Sequence, residues 1–94
     1  HGGRADRVIV RSGGKIVTET SLLQDRSIAV QGPLGVSLIN IQQQRVRVAS
    51  DPSPRQYCVK QGWLTHAGEV AICLPNQVSV EIAGAQKIYD SLNY

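Results

Sequence analysis

Turn signals recur along this chain at short intervals, and they divide it into apolar runs too short for ordinary helices. The clearest signals are Ser12-Gly13-Gly14, Gly32-Pro33-Leu34-Gly35 and the pair Gln43-Gln44. Glycine supplies the positive φ of a tight hairpin, and proline fixes φ and removes a backbone donor. Each signal therefore predicts a hairpin or another sharp turn between two strands.

The runs between these turns have the composition of strands. Valine and isoleucine dominate them, and β-branched side chains suit a pleated, half-buried surface. No stretch keeps the apolar spacing of three and four that a helix needs. The runs are 7–11, 15–20, 27–31, 36–42, 45–48 and 78–82. They predict an all-β fold, a small antiparallel β-sandwich or barrel of about seven or eight short strands.

The whole chain, residues 1–94, is predicted to be one domain, because a chain of 94 residues supports a single modest core. Residues 51–55 are placed in a loop, since two prolines there would delete donors from a strand. Residues 1–6 are expected to be flexible. Residues 85–94 are expected to form a short C-terminal helical tail.

Cys58 and Cys73 are the only cysteines, and they lie on either side of a turn expected near His66. If the chain doubles back there, the two cysteines oppose each other across an antiparallel pair. A twist or bulge would then bring them to disulfide distance. A disulfide implies an oxidising compartment. The alternative is two reduced cysteines that pack as small apolar residues.

The sequence gives little support to a metal site or a catalytic site. A structural zinc needs four ligands, and Cys58, Cys73, His66 and His1 lack the close spacing of zinc motifs. Nucleophilic catalysis needs a thiolate with a histidine in reach, and His66 is expected in a turn remote from both cysteines. No GxxxxGK or Ser-His-Asp pattern occurs. We therefore expect no metal, no cofactor and no enzymatic activity.

The charge balance permits nucleic-acid binding without indicating it, since ten Lys and Arg against seven Asp and Glu give a net charge of +3. Basic residues are densest around the single tryptophan. A candidate binding patch there comprises Arg45, Arg47, Arg55, Lys60 and Trp63. An exposed Trp63 would make this patch suitable for a phosphate backbone or an acidic protein. The more ordinary interpretations are a solvated strand face and a core position for Trp63.

Three motifs stand out in the second half of the chain, with Gly68 between the first two: Cys58-Val59-Lys60-Gln61-Gly62-Trp63, Cys73-Leu74-Pro75-Asn76 and Val78-x-Val80-Glu81-Ile82. Together they resemble the signature of the NusG domain II family. That family comprises a domain inserted in the transcription elongation factor NusG of some bacteria, and stand-alone proteins of mostly unassigned function. The resemblance implies a compact β fold and brings no catalytic residues. Gly62, Gly68 and Pro75 fit it as backbone devices, and Asn76 fits it as a local turn former.

The resemblance also implies a location. Many stand-alone members carry an N-terminal membrane anchor, so we expect an extracytoplasmic domain, in the periplasm or at the cell surface, tethered by a segment preceding His1. Many members have a further cysteine where this chain has Ser53, which leaves one possible pairing here and weakens the case for thiol exchange. We expect a non-enzymatic interaction or accessory domain with an unknown protein partner. The alternative is a nucleic-acid-binding module related to NusG.

Overall fold

The computed structural model describes residues 5–84, which form seven strands and one short helix. In chain order the elements are β1 (Ala5–Ser12), β2 (Lys15–Ser21), β3 (Arg26–Gly32), β4 (Gly35–Gln42), β5 (Arg45–Ser50), α1 (Tyr57–Lys60), β6 (Val70–Cys73) and β7 (Val78–Gly84). The predicted all-β fold is confirmed, and the strand count falls within the expected range.

The strands form two antiparallel sheets, one in the order β2-β1-β7-β6 and the other in the order β3-β4-β5. Strand alternation explains how each sheet gains one apolar face. In β7, Val78, Val80 and Ile82 are fully buried, whereas Ser79 and Glu81 remain partly exposed. Buried apolar residues of both sheets belong to one cluster, so the core lies between the sheets.

Both two-residue hairpin turns predicted from the sequence are present. Gly13 and Gly14 have φ values of 63° and 85°, and Gln43 and Gln44 have values of 52° and 62°. Positive φ at both central residues matches the twist of the flanking strands. Glycine adopts this region freely, while the glutamine turn has added support because the Gln43 N–H donates to Asp25 Oδ1 at 3.0 Å.

The segment around the cysteines differs from the predicted hairpin. Residues Tyr57–Lys60 form α1, which follows Gln56 in the left-handed conformation, so Cys58 lies on a helix. In the sheet, Cys73 of β6 lies opposite Val78 of β7, and Cys58 is not its strand partner. The predicted antiparallel pair of cysteines is therefore wrong. The sequence did not indicate the helix, because a single helical turn is too short to show a 3.6-residue period.

The ends of the described region bear on two expectations. Ala5 and Asp6, part of the segment expected to be flexible, lie in β1. The expected helical tail, residues 85–94, lies outside the described residues, as do residues 1–4. Among residues 5–84, no helix has both the length and the apolar character needed to cross a membrane.

Candidate functional site

A disulfide joins Cys58 of α1 to Cys73 at the end of β6. Their Cα atoms are 5.1 Å apart, and each residue is only 1% exposed. Helix α1 packs against both β5 and β6, and this contact brings the two sulfurs together in place of strand pairing. The disulfide is a buried link between the helix and a sheet, and it is compatible with an extracytoplasmic location.

The loop before α1 is held by side-chain hydrogen bonds. Pro52 and Pro54 offer no backbone donors, so this loop has fewer N–H groups with which to satisfy its own carbonyls. The Gln56 side chain donates from Nε2 to the carbonyl oxygens of Asp51 and Ser53. The Asp51 carboxylate in turn accepts the Ser53 N–H at 3.0 Å. These bonds fix the position from which α1 starts.

A buried polar network connects this loop to both sheets. Asp51 is 8% exposed, and Ser37 and Asn76 are fully buried. Ser37 Oγ donates to Asp51 Oδ1 at 2.5 Å, and Asn76 Nδ2 donates to Ser37 Oγ at 2.9 Å. The Asn76 side chain also accepts the Leu34 N–H at 2.7 Å and donates to the Gly35 carbonyl at 3.2 Å. Asn76 therefore joins the β6–β7 turn to the β3–β4 hairpin of the other sheet, a role wider than that of a local turn former.

This network lowers the pKa of the Asp51 carboxylate. Burial raises the pKa of Asp51, but hydrogen bonds from Ser37, Ser53 and Asn76 together lower it more, and the pKa lies below its ordinary value. Asp51 is therefore ionised at neutral pH and already occupied as an acceptor. A general acid or base needs a pKa near the working pH, so these contacts favour a structural role.

The same region contains a cluster of potential metal ligands. One ligand atom each from Asp51, Cys58 and Cys73 lies within 4.8 Å of the others. The two sulfurs are bonded to each other, however, and a disulfide offers no thiolate to a metal. The oxidised cluster therefore lacks the donor set of a structural zinc site, which needs four ligands.

The predicted basic patch is divided by the structure. Arg45 and Arg47 alternate with the buried Val46 on β5, and their Cζ atoms lie 4.1 and 4.7 Å from the centroid of the Trp63 ring. Trp63 is in reach because Leu64 forms an isolated β-bridge with Val46. Trp63 is half-buried and lies outside the core cluster, so its interpretation as a core residue is wrong.

The other two patch residues have different surroundings. Arg55 lies in the loop before α1, and Lys60 ends α1. Among residues 5–84, the cations that lie over the Trp63 ring are the two β5 arginines. The five residues singled out in the sequence therefore form a compact cluster of three, with Arg55 and Lys60 outside it.

His66 lies on an exposed turn that follows Trp63 and Leu64. Its side chain is 84% exposed, and its Nδ1 atom lies 2.8 Å from Thr65 Oγ1. Glu69 closes the turn by accepting the N–H groups of His66 and Thr65 at 2.8 and 2.7 Å, and these bonds lower the pKa of Glu69. Since both cysteines are buried in a disulfide, His66 does not form a histidine–thiolate pair with them.

An exposed apolar groove lies beside the disulfide, and sequence reasoning missed it. Tyr57 directly precedes Cys58 and is 63% exposed, and Leu74 directly follows Cys73 and is 64% exposed. The only sequence signal was the large apolar residue next to each cysteine. The groove has a volume of about 340 Å³ and is lined by Pro54, Arg55, Tyr57, Leu74 and Pro75.

The apolar surface continues along β6. Val70 and Ile72 are 38% and 51% exposed and alternate with the buried residues Ala71 and Cys73. Leu74 is the next exposed residue along the chain. Contiguous exposed apolar residues of this kind commonly mark interaction sites, whereas isolated ones do not.

Two larger clefts have less distinctive linings. One, of about 610 Å³, lies where Asp6 and Arg7 of β1 meet the end of β2, and its Arg7 is already paired with Glu19 at 2.6 Å. The other, of about 450 Å³, lies between β2 and β3 and combines Val17 and Ala29 with polar neighbours. The smaller groove differs from both because exposed Tyr57 and Leu74 lie at a covalently fixed point.

The chain is similar to proteins of known sequence. The family model described as NusG domain II matches residues 1–86. An uncharacterized protein of Treponema pallidum is 34% identical over 82 residues, which cover 87% of this chain and 56% of that protein. The chain thus spans little more than half the length of this curated relative.

Solved structures resemble the fold closely. The Lin0431 protein of Listeria innocua has a TM-score of 0.78 at 31% identity, and the match covers 87% of this chain and 99% of that one. A DUF1312 family protein of Ruminococcus gnavus has a TM-score of 0.76 at 32% identity, covering 84% and 99% respectively. These similarities confirm the small β fold inferred from the sequence.

Proposed function

The chain belongs to the NusG domain II family, and on that premise we propose that it is a non-enzymatic interaction domain that binds a protein partner outside the cytoplasm. The partner contacts the groove between Tyr57 and Leu74. In the full-length protein, a membrane anchor that precedes this chain tethers the domain.

One observation carries this proposal: two large apolar side chains are exposed at a rigid point of the surface. Tyr57 and Leu74 are 63% and 64% exposed, although each adjoins a cysteine that is 1% exposed. The disulfide holds the two backbones in place, so neither side chain can turn into the core without disturbing it. Tyrosine and apolar residues at a concave surface are typical of the centre of protein interfaces.

The groove lining indicates the chemistry of the partner. Pro54 and Pro75 supply apolar walls without backbone donors, and Tyr57 and Leu74 supply the largest apolar surfaces. An apolar side chain of a protein partner suits this space. Arg55 at the same groove favours a partner with a carboxylate beside that apolar group, since a guanidinium pairs well with carboxylates.

The surroundings of the disulfide support a role without catalysis. A catalytic thiol must be available as a thiolate, and both sulfurs are engaged with each other. The neighbouring Asp51 carboxylate accepts hydrogen bonds from Ser37 and Ser53 and holds the loop in place. These groups stabilise the site at which the partner is proposed to bind.

Site-specific photo-crosslinking tests the groove. A photoreactive phenylalanine analogue replaces Tyr57 or Leu74 in the full-length protein in its own host. Ile16 is the matched control position, because it is 55% exposed but lies on β2. We expect a discrete crosslinked product from positions 57 and 74, its loss on Arg55→Glu, and none from position 16. Equal products from all three positions, or none from any, would contradict the proposal.

The location is tested separately. Alkaline phosphatase fused after the chain is active only if it is exported, because the enzyme needs its own disulfides. We expect an active fusion in the native host, and cysteines that resist alkylation when untreated cells are lysed in a thiol-blocking reagent. An inactive fusion together with two alkylated cysteines would contradict an extracytoplasmic location and leave the groove experiment unaffected.

A further inference from the structure

Arg45 and Arg47 have no acidic partner among residues 5–84, in contrast to the two arginines of β1. Arg7 pairs with Glu19 at 2.6 Å, and Arg11 pairs with Glu81 at 2.7 Å. The Nε atoms of Arg45 and Arg47 are buried and form no hydrogen bond within the described part of the chain. Both guanidinium groups of β5 thus lack an acidic partner in the part of the chain that the structure describes.

Trp63 provides a common contact for these two cations. Val46 bonds the backbone of Leu64 through hydrogen bonds of 3.1 and 2.7 Å, which sets Trp63 beside the outer face of β5. The ring then lies 4.1 and 4.7 Å from the guanidinium carbons of Arg45 and Arg47. Stacking on an aromatic face stabilises a guanidinium and leaves its N–H edge free for an acceptor.

The chemistry of this cluster defines its ligand. The Nε atoms are buried beyond the reach of an external ligand, so a ligand must bond the terminal Nη groups of the two arginines, which form no hydrogen bond within residues 5–84. Carboxylates match the planar fork of a guanidinium and form two parallel hydrogen bonds with it. Two neighbouring guanidiniums therefore suit one or two carboxylates that approach along the edge of the Trp63 ring.

We propose that Arg45, Arg47 and Trp63 form a binding site for the carboxylates of an acidic segment of a protein partner. This arginine site is distinct from the groove between Tyr57 and Leu74, and its test does not depend on that groove. A single nucleic-acid strand is the less suitable ligand for two reasons. Sequence-tolerant strand binding uses bases stacked on free aromatic faces, and here the guanidiniums lie over the ring. A phosphate backbone also needs a track of cations, and Arg55 lies at the groove instead.

Trp63 makes the arginine site directly observable, because it is the only tryptophan in the chain. Its fluorescence is recorded while a short oligoglutamate peptide is titrated into the protein at low salt. An oligoglutamine peptide of equal length is the control for charge. We expect a saturable change in emission with oligoglutamate only, and weaker binding as salt is added, because the contacts are partly exposed and screened.

Variants assign the signal to the two arginines. Arg45→Gln with Arg47→Gln is expected to weaken oligoglutamate binding about tenfold or more, because both guanidinium donors to the carboxylates are lost. Lys15→Gln removes one exposed charge elsewhere and is expected to leave binding unchanged. Tyr57→Ser with Leu74→Ser is also expected to leave it unchanged, which separates this site from the groove.

Several outcomes would overturn the proposal. The first is a flat titration with oligoglutamate, and the second is equal oligoglutamate binding by the double arginine variant and the unmutated protein. The third is binding of a single-stranded oligonucleotide in place of the peptide. The indole N–H resonance of Trp63 provides a second measurement in the unmutated protein. It is expected to shift on addition of oligoglutamate, so the proposal remains testable even if the double variant fails to fold.

Discussion

Asn76 lies so close to Gly32 that a Cβ atom at Gly32 would fall 2.6 Å from the side-chain nitrogen of Asn76 and 2.5 Å from its backbone carbonyl oxygen. Gly32 ends β3, and Asn76 lies between β6 and β7, so this contact joins the two sheets. The missing side chain at Gly32 gives the Asn76 carboxamide access to the backbone of Leu34 and Gly35.

Gly32→Ala is expected to destabilise the fold by about 1 to 3 kcal/mol, the usual range for an added methyl group without space. The clash includes a backbone atom of Asn76, which cannot rotate away. Urea unfolding measures the change. A double-mutant cycle with Asn76→Ala is the control, and the two substitutions should be non-additive because they share one contact. An unchanged unfolding midpoint for Gly32→Ala would show that the sheets do not approach this closely.

Asn76→Ala is expected to lower the free energy of unfolding by about 2 to 3 kcal/mol, because it leaves buried groups without partners. Leu34 N–H and Ser37 Oγ each lose a hydrogen bond that Asn76 now makes. Asn40→Ala is the matched control, since Asn40 makes only an exposed contact with Ser27 among the side-chain bonds described. Similar losses from the two asparagine variants would argue against a special role for Asn76.

Removing the disulfide is expected to destabilise the protein by roughly 3 kcal/mol, the value for a loop of this length in the loop-entropy account. Cys58 and Cys73 are separated by 15 positions in the sequence. The paired variant Cys58→Ala with Cys73→Ala is compared with the oxidised wild type by urea unfolding. Cys58→Ala alone is the control and should resemble the pair. A wild-type stability that is the same with and without reductant would contradict this expectation.

Asp51 is expected to make stability depend on pH in the acid range. Its pKa is lower in the folded protein than the ordinary value of 3.8. The stabilisation is therefore complete above pH 3.8 and is lost as pH falls through the lower folded pKa, because the unfolded chain binds the proton first. Unfolding curves across this range should show a shallower loss for Asp51→Asn than for wild type. Ser37→Ala, which removes a hydrogen bond to Asp51, should lie between them. Parallel curves of stability against pH for all three proteins would argue against Asp51 as the source of the pH dependence.

The strands were predictable because their signals are local. Alternation in 78–82 and the Gly13-Gly14 and Gln43-Gln44 turns each depend on neighbours within a few residues, and all are present in the structure. Helix α1 was not predictable, since four residues carry too little periodicity to distinguish a helix from a strand.

The candidate sites depend on contacts that sequence patterns do not encode. Trp63 lies over the β5 arginines only because Leu64 forms a single bridge to Val46. Asn76 bonds groups 39 to 42 positions away, which no local turn rule anticipates. The Arg45–Arg47 part of the patch was visible because residues two apart on a strand share a face. The exposure of Tyr57 and Leu74 follows from where α1 packs, which only the folded chain defines.

The covalent bond beside Tyr57 and Leu74 has a thermodynamic consequence for any complex formed there. The spacing of the two side chains is set before a partner arrives, so association loses little conformational entropy on this side of the interface. Reduction would leave only packing contacts between α1 and β6 and would increase that entropic penalty. The oxidation state of the surroundings would then set how long a complex at this groove survives.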